Sequence, residues 1–227
     1  MMPLSLCGNR PATILCLGAH SDDIEIGCGG TILRLVQDYP DATFHWVVFS
    51  ATGIREDEAR RGASLFVDAK RLKGPTLRAF PDGFMRLDGR EVKEFFEVLK
   101  ASVFPDLIFT HNGNDAHQDH RFLSELTWNT FRDHLILEYE IPKYDGDLGR
   151  PNFFVPVEAN ILQAKIQFLM DTFGSQRSKK WFEPETFRSL MRLRGMECNS
   201  SSGYAEAFYC RKAVLGAGWQ SHGGSSS

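Results

Sequence analysis

Residues 13–18, Thr-Ile-Leu-Cys-Leu-Gly, form an apolar run with no alternation of polar and apolar positions. A strand of that kind needs cover on both faces, the condition of a parallel sheet sandwiched between helices. Further strand-like runs occupy 42–49, 75–80 and 106–110, and helix-spaced segments at 29–37, 55–72 and 91–103 separate them. The 55–72 segment carries Ala59, Ala63, Phe66 and Val67 near helical spacing, and 91–103 stops before Pro105. Alternation of this type predicts right-handed crossovers and a mostly parallel sheet. The expected fold is α/β, a three-layer, Rossmann-like sheet with helices on both faces.

Past residue 125 the pattern loosens. A helix is expected at 122–133, and strands at 138–144 and 153–157 on either side of a turn at 145–149. Helices follow at 161–173 and 185–194, then a last strand at 205–210. Glycine and serine dominate 216–227, which reads as a flexible tail and leaves 1–215 as one domain.

A chain of 227 residues is long enough to bury a full core. Its 26 basic and 29 acidic side chains give a net charge of −3 with both signs dispersed. No basic block favours nucleic acid, and no cationic amphipathic stretch favours a membrane surface. The apolar run at 44–51 contains His45 and falls far short of the ~18 residues of a membrane span. The run at 12–19 leads straight into His20, so it reads as a buried first strand rather than a secretory signal. Five cysteines, Cys7, Cys16, Cys28, Cys198 and Cys210, follow no pairing pattern. Reduced thiols and a cytoplasmic location are expected.

Two clusters of ligand-type residues follow predicted strands: His20-Ser21-Asp22-Asp23 and His117-Gln118-Asp119-His120. In parallel sheets reactive groups gather at the carboxyl ends of strands. A catalytic zinc takes three nitrogen or oxygen ligands and leaves a position for water. His20 and Asp23, three apart on a tight turn, together with His120 supply two imidazoles and one carboxylate. Asp22 is then placed to take a proton from water at the metal. His117 can stabilise an oxyanion or protonate a leaving nitrogen. Asp119 can hold that imidazole in one tautomer and favour its charged form. The implied reaction is metal-assisted attack of water on a carbonyl, most simply an amide.

Plainer readings compete. Aspartates after a strand commonly cap the next helix, but capping does not explain a second cluster. His111 ends a strand, where a turn role outweighs ligation, and Cys28, His45 and His134 read as structural. Gly27-Cys28-Gly29-Gly30 lacks a dinucleotide fingerprint, since Ile32 stands where a third glycine belongs. Arg55 begins a helix soon after the second strand, with solvation and contact to a sugar or phosphate evenly balanced.

The stretch from Gly18 through His20-Ser21-Asp22-Asp23-Ile24-Glu25 to Gly29-Gly30-Thr31 resembles the first signature of the LmbE-like, or PIG-L, family of zinc-dependent N-deacetylases. The family pattern is A-H-P-D-D-x-E-x-G-x-G-G, with Ser21 here in place of proline. Pro105-Asp106-Leu107-Ile108 through His111, Asp115, His117, Asp119 and His120 is similar to its second signature. Weaker likeness attaches to Arg55-x-x-Glu58-Ala59 and to Ala205-Glu206-Ala207-Phe208. The resemblance implies zinc on His20, Asp23 and His120, Asp22 as general base, and His117 with Asp119 as the oxyanion and leaving-group pair. It also implies a small N-acetylated amino-sugar substrate of the N-acetylglucosamine type, and it leaves a homo-oligomer open.

Two other classes stay in view. Two histidines and a carboxylate also describe a non-haem iron oxygenase, which has no need of Asp22 or the His117/Asp119 pair. A non-catalytic metal- or sugar-binding domain on the same fold has no need of the base.

Overall fold

The computed structural model describes residues 12–214. In chain order the elements are β1 (Thr13–His20), α1 (Asp23–Asp38), β2 (Thr43–Ser50), α2 (Ile54–Phe66) and β3 (Leu72–Leu77). A short 3-10 turn, Met85–Asp88, leads into α3 (Gly89–Ser102), β4 (Leu107–His111), α4 (Gln118–Thr130) and β5 (Leu135–Tyr139). Then come β6 (Phe153–Pro156), α5 (Ala159–Thr172), α6 (Pro184–Glu197) and β7 (Ala205–Tyr209). The sheet runs β3-β2-β1-β4-β5-β7-β6. Pairing is parallel from β3 to β5, and β7 runs antiparallel to both of its neighbours.

The unbroken apolar character of β1 has the expected cause. Ile14 and Cys16 enter a core with Ile24, Ala59, Leu162 and Phe187 from α1, α2, α5 and α6. Leu15, Leu17 and Ala19 point the other way, into a core with Phe96 of α3 and Leu123 of α4. A strand's side chains alternate faces, so helical layers on both sides demand apolar residues at every position. The fold class is therefore the three-layer α/β arrangement read from the sequence.

Three local expectations are corrected. The helix predicted at 29–37 begins at Asp23 and runs through a break at Cys28 (φ −141°, ψ 15°). A methyl at Gly27 would fall inside the Tyr139 ring, and one at Gly29 would lie 2.5 Å from Phe66. The glycines that look like helix breakers thus let the helix lie close against its neighbours. The amides freed at the break are taken by buried Glu206, which accepts from Gly30 N (2.8 Å) and Thr31 N (2.6 Å) and pairs with Lys165 at 2.6 Å. The late motif at 205–208 therefore serves as a cap for the rear half of α1.

The helix predicted at 55–72 stops at Phe66. Asp68 captures the Lys70 amide (3.1 Å) and the Arg71 guanidinium (2.5 Å), an Asx-type turn that competes with helix. The strand expected at 138–144 lies instead at Leu135–Tyr139, and β7 inserts between it and β6: Phe208 pairs with both Tyr139 and Phe153. Residues 140–150 form a loop closed by Lys143 and Asp147 at 2.5 Å.

Cys7 and the 216–227 segment lie outside the described residues. The four described cysteines are free. No described helix is long and apolar enough to cross a membrane.

Crossovers from β1 proceed outward to β2 and β3, whereas β4 and β5 build the other way. The switch between β1 and β4 opens a crevice at their carboxyl ends, the usual binding position in such sheets. The β1–β4 ladder covers only Ile14–Leu107 to Cys16–Phe109. Beyond it side chains replace the missing ladder: Tyr139 Oη donates to Leu17 O (2.6 Å), and Ala19 N donates to His111 Nε2 (3.0 Å).

Candidate metal centre

His20 is the last residue of β1, Asp22 and Asp23 open α1, and His117 precedes α4 with Asp119 and His120 on its first turn. The two clusters therefore meet across the switch crevice. His20 Nδ1 and His120 Nε2 are 3.1 Å apart, and Asp23 Oδ2 lies 3.3 Å from the first and 3.5 Å from the second. Donors bound tetrahedrally at about 2.0–2.1 Å stand roughly 3.3–3.4 Å from one another. The three atoms therefore already have the spacing of one face of a metal's coordination tetrahedron.

The outward nitrogens explain why the inward ones are available. His20 Nε2 lies 3.0 Å from Asp82 Oδ1 and 3.3 Å from Asp119 Oδ2, so Nε2 holds its proton and Nδ1 is the nitrogen that a cation would take. Asp115 Oδ2 lies 3.0 Å from His120 Nδ1, off the donor axis and hence a close polar contact rather than an aligned hydrogen bond. It still favours the proton on that side and frees Nε2. Carboxylates behind ligand imidazoles are the usual means of fixing tautomer and orientation at a metal.

Electrostatics agree with a cation at the centre. Burial opposes ionisation of Asp23, but His120, His111 and His20 outweigh it and hold the carboxyl well below its ordinary range. Burial and the neighbouring His111 push His120 down to about 4, so it is a neutral imidazole. Burial would lower His20 too, yet Asp23, Asp119 and Asp82 hold it well above the usual imidazole range. In the metal-free molecule His20 thus carries the proton that a cation would displace, and metal uptake should release protons.

Asp22 stands at the N-cap of α1, but its carboxylate caps nothing. It faces Arg55, whose Nη2 is 3.5 Å from Asp22 Oδ1 and whose Nη1 is 2.9 Å from Asp82 Oδ2. Burial and Asp23 raise the Asp22 carboxyl, while Arg55, His20 and Lys179 pull it back. Arg55 is consequently a bridge between two site carboxylates, with 23% of its side chain exposed to the crevice.

The expected pairing of His117 with Asp119 is corrected. His117 Nδ1 accepts from the Asp119 backbone amide at 3.3 Å, whereas the Asp119 carboxylate accepts from Gly83 N (2.7 Å) and faces His20. Without a carboxylate on its ring, His117 is pushed below the ordinary imidazole value by burial and by the charge of His20. It is neutral, and since Nδ1 accepts, Nε2 carries the proton. The His117 ring stands edge-on to His20 at 4.8 Å between centroids.

His111 is fully buried and stacks on His120 at 3.8 Å. Its Nε2 is 3.2 Å from Asp23 Oδ2, but that lone pair is taken by Ala19 N–H. This favours a scaffolding part, in line with its position ending β4. Sequence reasoning passed over Asp82 and Lys143, and gave Asp115 no role although it lies within the second signature. Asp82 precedes Gly83 just beyond the end of a strand, a turn signal at the site-bearing edge. Lys143 reaches Asp115 Oδ1 at 3.0 Å from within the 140–150 loop, and no local pattern marks it.

Comparison with known proteins sharpens the assignment. The family model PIG-L, described as GlcNAc-PI de-N-acetylase, matches residues 15–131, more than half of the chain and every residue of the two His/Asp clusters. The chain is similar to the uncharacterized deacetylase YaiS of Escherichia coli strain K12, 30% identical over 145 residues, 59% of this chain and 76% of the relative. Its fold is similar to N,N'-diacetylchitobiose deacetylase from Pyrococcus horikoshii: TM-score 0.66, 18% identity, 88% of this chain and 83% of that one. It is also similar to GalB, the 4-carboxy-2-hydroxymuconate hydratase of Pseudomonas putida KT2440: TM-score 0.73, 16% identity, 92% and 100%. With both signatures inside the matched span and the switch-point crevice built from them, the chain belongs to the PIG-L (LmbE-like) family.

Proposed function

We propose that this protein is a metal-dependent amide hydrolase that removes the acetyl group from an N-acetylglucosamine-type sugar conjugate, with zinc as its metal. The observation that carries this reading is the convergence of two tautomer-fixed imidazoles and one carboxylate, within 3.5 Å of one another, beside a carboxylate that caps nothing. A binding protein has no use for the last of these. The names of the family model and of the Escherichia coli relative support deacetylation. The fold alone does not decide, since a hydratase shares it.

In this reading His20, Asp23 and His120 hold the metal. When bound, zinc supplies a Lewis acid for the amide carbonyl and makes a water acidic near neutrality. Asp22 accepts the proton of the attacking water and passes it to the leaving nitrogen. Arg55 keeps Asp22 ionised between turnovers and offers its exposed edge to the sugar. His117, neutral with a proton on Nε2, donates a hydrogen bond to the developing oxyanion. Asp119 is reassigned: it positions His20 rather than His117.

That reassignment changes what mutants should do. His117→Ala should lower kcat with little change in KM or metal content, because the bond strengthens only in the transition state. Asp119→Asn should instead weaken metal binding by about 10- to 100-fold, the usual cost of losing a partner behind a ligand. Their double mutant should combine both losses. Strongly non-additive rates would return Asp119 to His117.

The central test is acetate release from a panel of N-acetylglucosamine conjugates by the purified protein. Release should match the free amine formed, vanish on chelation and return with zinc, without dependence on oxygen or a reductant. Metal-loaded protein that released no acetate from any conjugate would overturn the proposal.

A further inference from the structure

Asp115 stands directly behind His120, yet its own hold on that ring is weak. Its Oδ2 lies 3.0 Å from His120 Nδ1 but off the donor axis. Its Oδ1 accepts from His117 N at 2.8 Å. The residue is buried, and a buried carboxylate is costly unless a cation or several hydrogen bonds compensate it. Arg121, close by, donates to the backbone oxygens of Asp115 and Ala116. The cation that reaches the carboxylate is Lys143. Its Nζ lies 3.0 Å from Asp115 Oδ1, and its side chain is only 10% exposed.

The same ammonium holds a second carboxylate. Asp147 Oδ2 lies 2.5 Å from Lys143 Nζ and accepts from Ala116 N at 2.6 Å. Two carboxylates gripped by one ammonium thus take the successive amides of Ala116 and His117, which lead into α4. His117 is the N-cap of that helix and His120 lies on its first turn, so both rings follow the way the chain enters it. The base of the 140–150 loop is closed by separate contacts. Buried Arg194 pairs with Glu140 at 2.9 Å and donates to Gly149 O at 3.1 Å, and Tyr209 Oη donates to Glu140 at 2.8 Å. The loop therefore keeps its own closure when Lys143 is replaced.

We propose that Lys143 is a positioning residue of the metal centre: its ammonium fixes Asp115 behind His120 and, with Asp147, fixes the entry of α4 that sets His117. This rests on the reading above for His120 as a ligand, and on no choice of substrate. The reason is mechanical. A carboxylate that meets an imidazole off axis does not aim it unless the carboxylate is itself held, and the holding group here comes from a loop 28 residues further along the chain. Lys143 touches neither metal nor sugar in this assignment; it acts through Asp115 and Asp147.

The test uses the full chain. Zinc affinity is measured by competition with a chromophoric chelator, ligand geometry by the visible absorption of the cobalt-loaded protein, and kcat and KM on the methyl glycoside of N-acetylglucosamine. Lys143→Met should weaken zinc binding by about tenfold or more, the scale of losing a partner behind a ligand. It should also shift the cobalt spectrum and lower kcat with little change in KM. Lys143→Gln, polar but uncharged, should move all three in the same direction, and it carries the test should Lys143→Met fail to fold. In protein already bearing Asp115→Asn, the lysine replacement should cost at most about twofold more, since residues acting as a unit are not additive. Tyr209→Phe, which removes a bond at the loop base, should lower thermal stability and leave zinc affinity and the cobalt spectrum at wild-type values. Unchanged affinity and spectrum in the lysine variants, additive losses with Asp115→Asn, or an equal shift in Tyr209→Phe would overturn the assignment. Acetate release with unshifted affinity in the lysine variants would remove Lys143 and keep the deacetylase reading. The expected shifts without any acetate release would do the reverse.

Discussion

His20→Ala and His120→Ala are each expected to strip the protein of metal and reduce acetate release to the background of metal-free protein. The two nitrogens are 3.1 Å apart and share Asp23 Oδ2 as their third corner, so removing either leaves two donors for a cation that needs three from the protein. The loss should far exceed the ~100-fold that an outer partner such as Asp119 contributes. Elemental analysis after dialysis measures it directly, and circular dichroism separates loss of metal from loss of fold. The fold should survive, because both rings sit at the ends of elements whose cores lie on either side of the sheet. Full metal content in either variant would remove the ligand assignment. The wild type should also release protons on metal uptake, because His20 carries one beforehand.

How much of this was legible beforehand depends on how local each cause is. The α/β class could be read from 13–18 because burial on both faces writes itself into every position of a strand. The convergence of His20, Asp23 and His120 could be read because the residue types fall at two strand ends, and strand ends on one edge of a parallel sheet must be near one another. The partner of Asp119 was not legible. Two residues from His117 in sequence, its carboxylate turns to His20 and to Gly83 N, contacts 99 and 36 residues away along the chain. Proximity in sequence suggested a pair that the first turn of α4 does not allow, since His117 is its N-cap and accepts a backbone amide there. Lys143 and Asp82 escaped for the same reason: each acts through a contact set by loop closure. The position of β7 was hidden too. Whether two short strands pair directly or admit a third depends on where a segment 50 residues later returns, and only the folded sheet records that.

Asp22→Asn is expected to keep its metal and lower kcat by about 10²- to 10⁴-fold, the ordinary contribution of a positioned general base. Asparagine preserves shape and can still face Arg55, so binding of the sugar should change little and the loss should appear in kcat rather than KM. The N-cap position supplies the control. Had the carboxylate been capping α1, its replacement would cost stability of about 1 kcal/mol. Since it makes no capping bond, thermal unfolding of the variant should match the wild type or exceed it. A buried carboxyl whose ionisation is opposed by burial and by Asp23 is a burden on the fold, and that burden is relieved by the amide. Stability unchanged or raised, metal retained and turnover lost is the combination that only a catalytic base produces. Metal lost together with turnover would make Asp22 a fourth ligand, and turnover within a few-fold of wild type would return the proton transfer to another group, such as neutral His117.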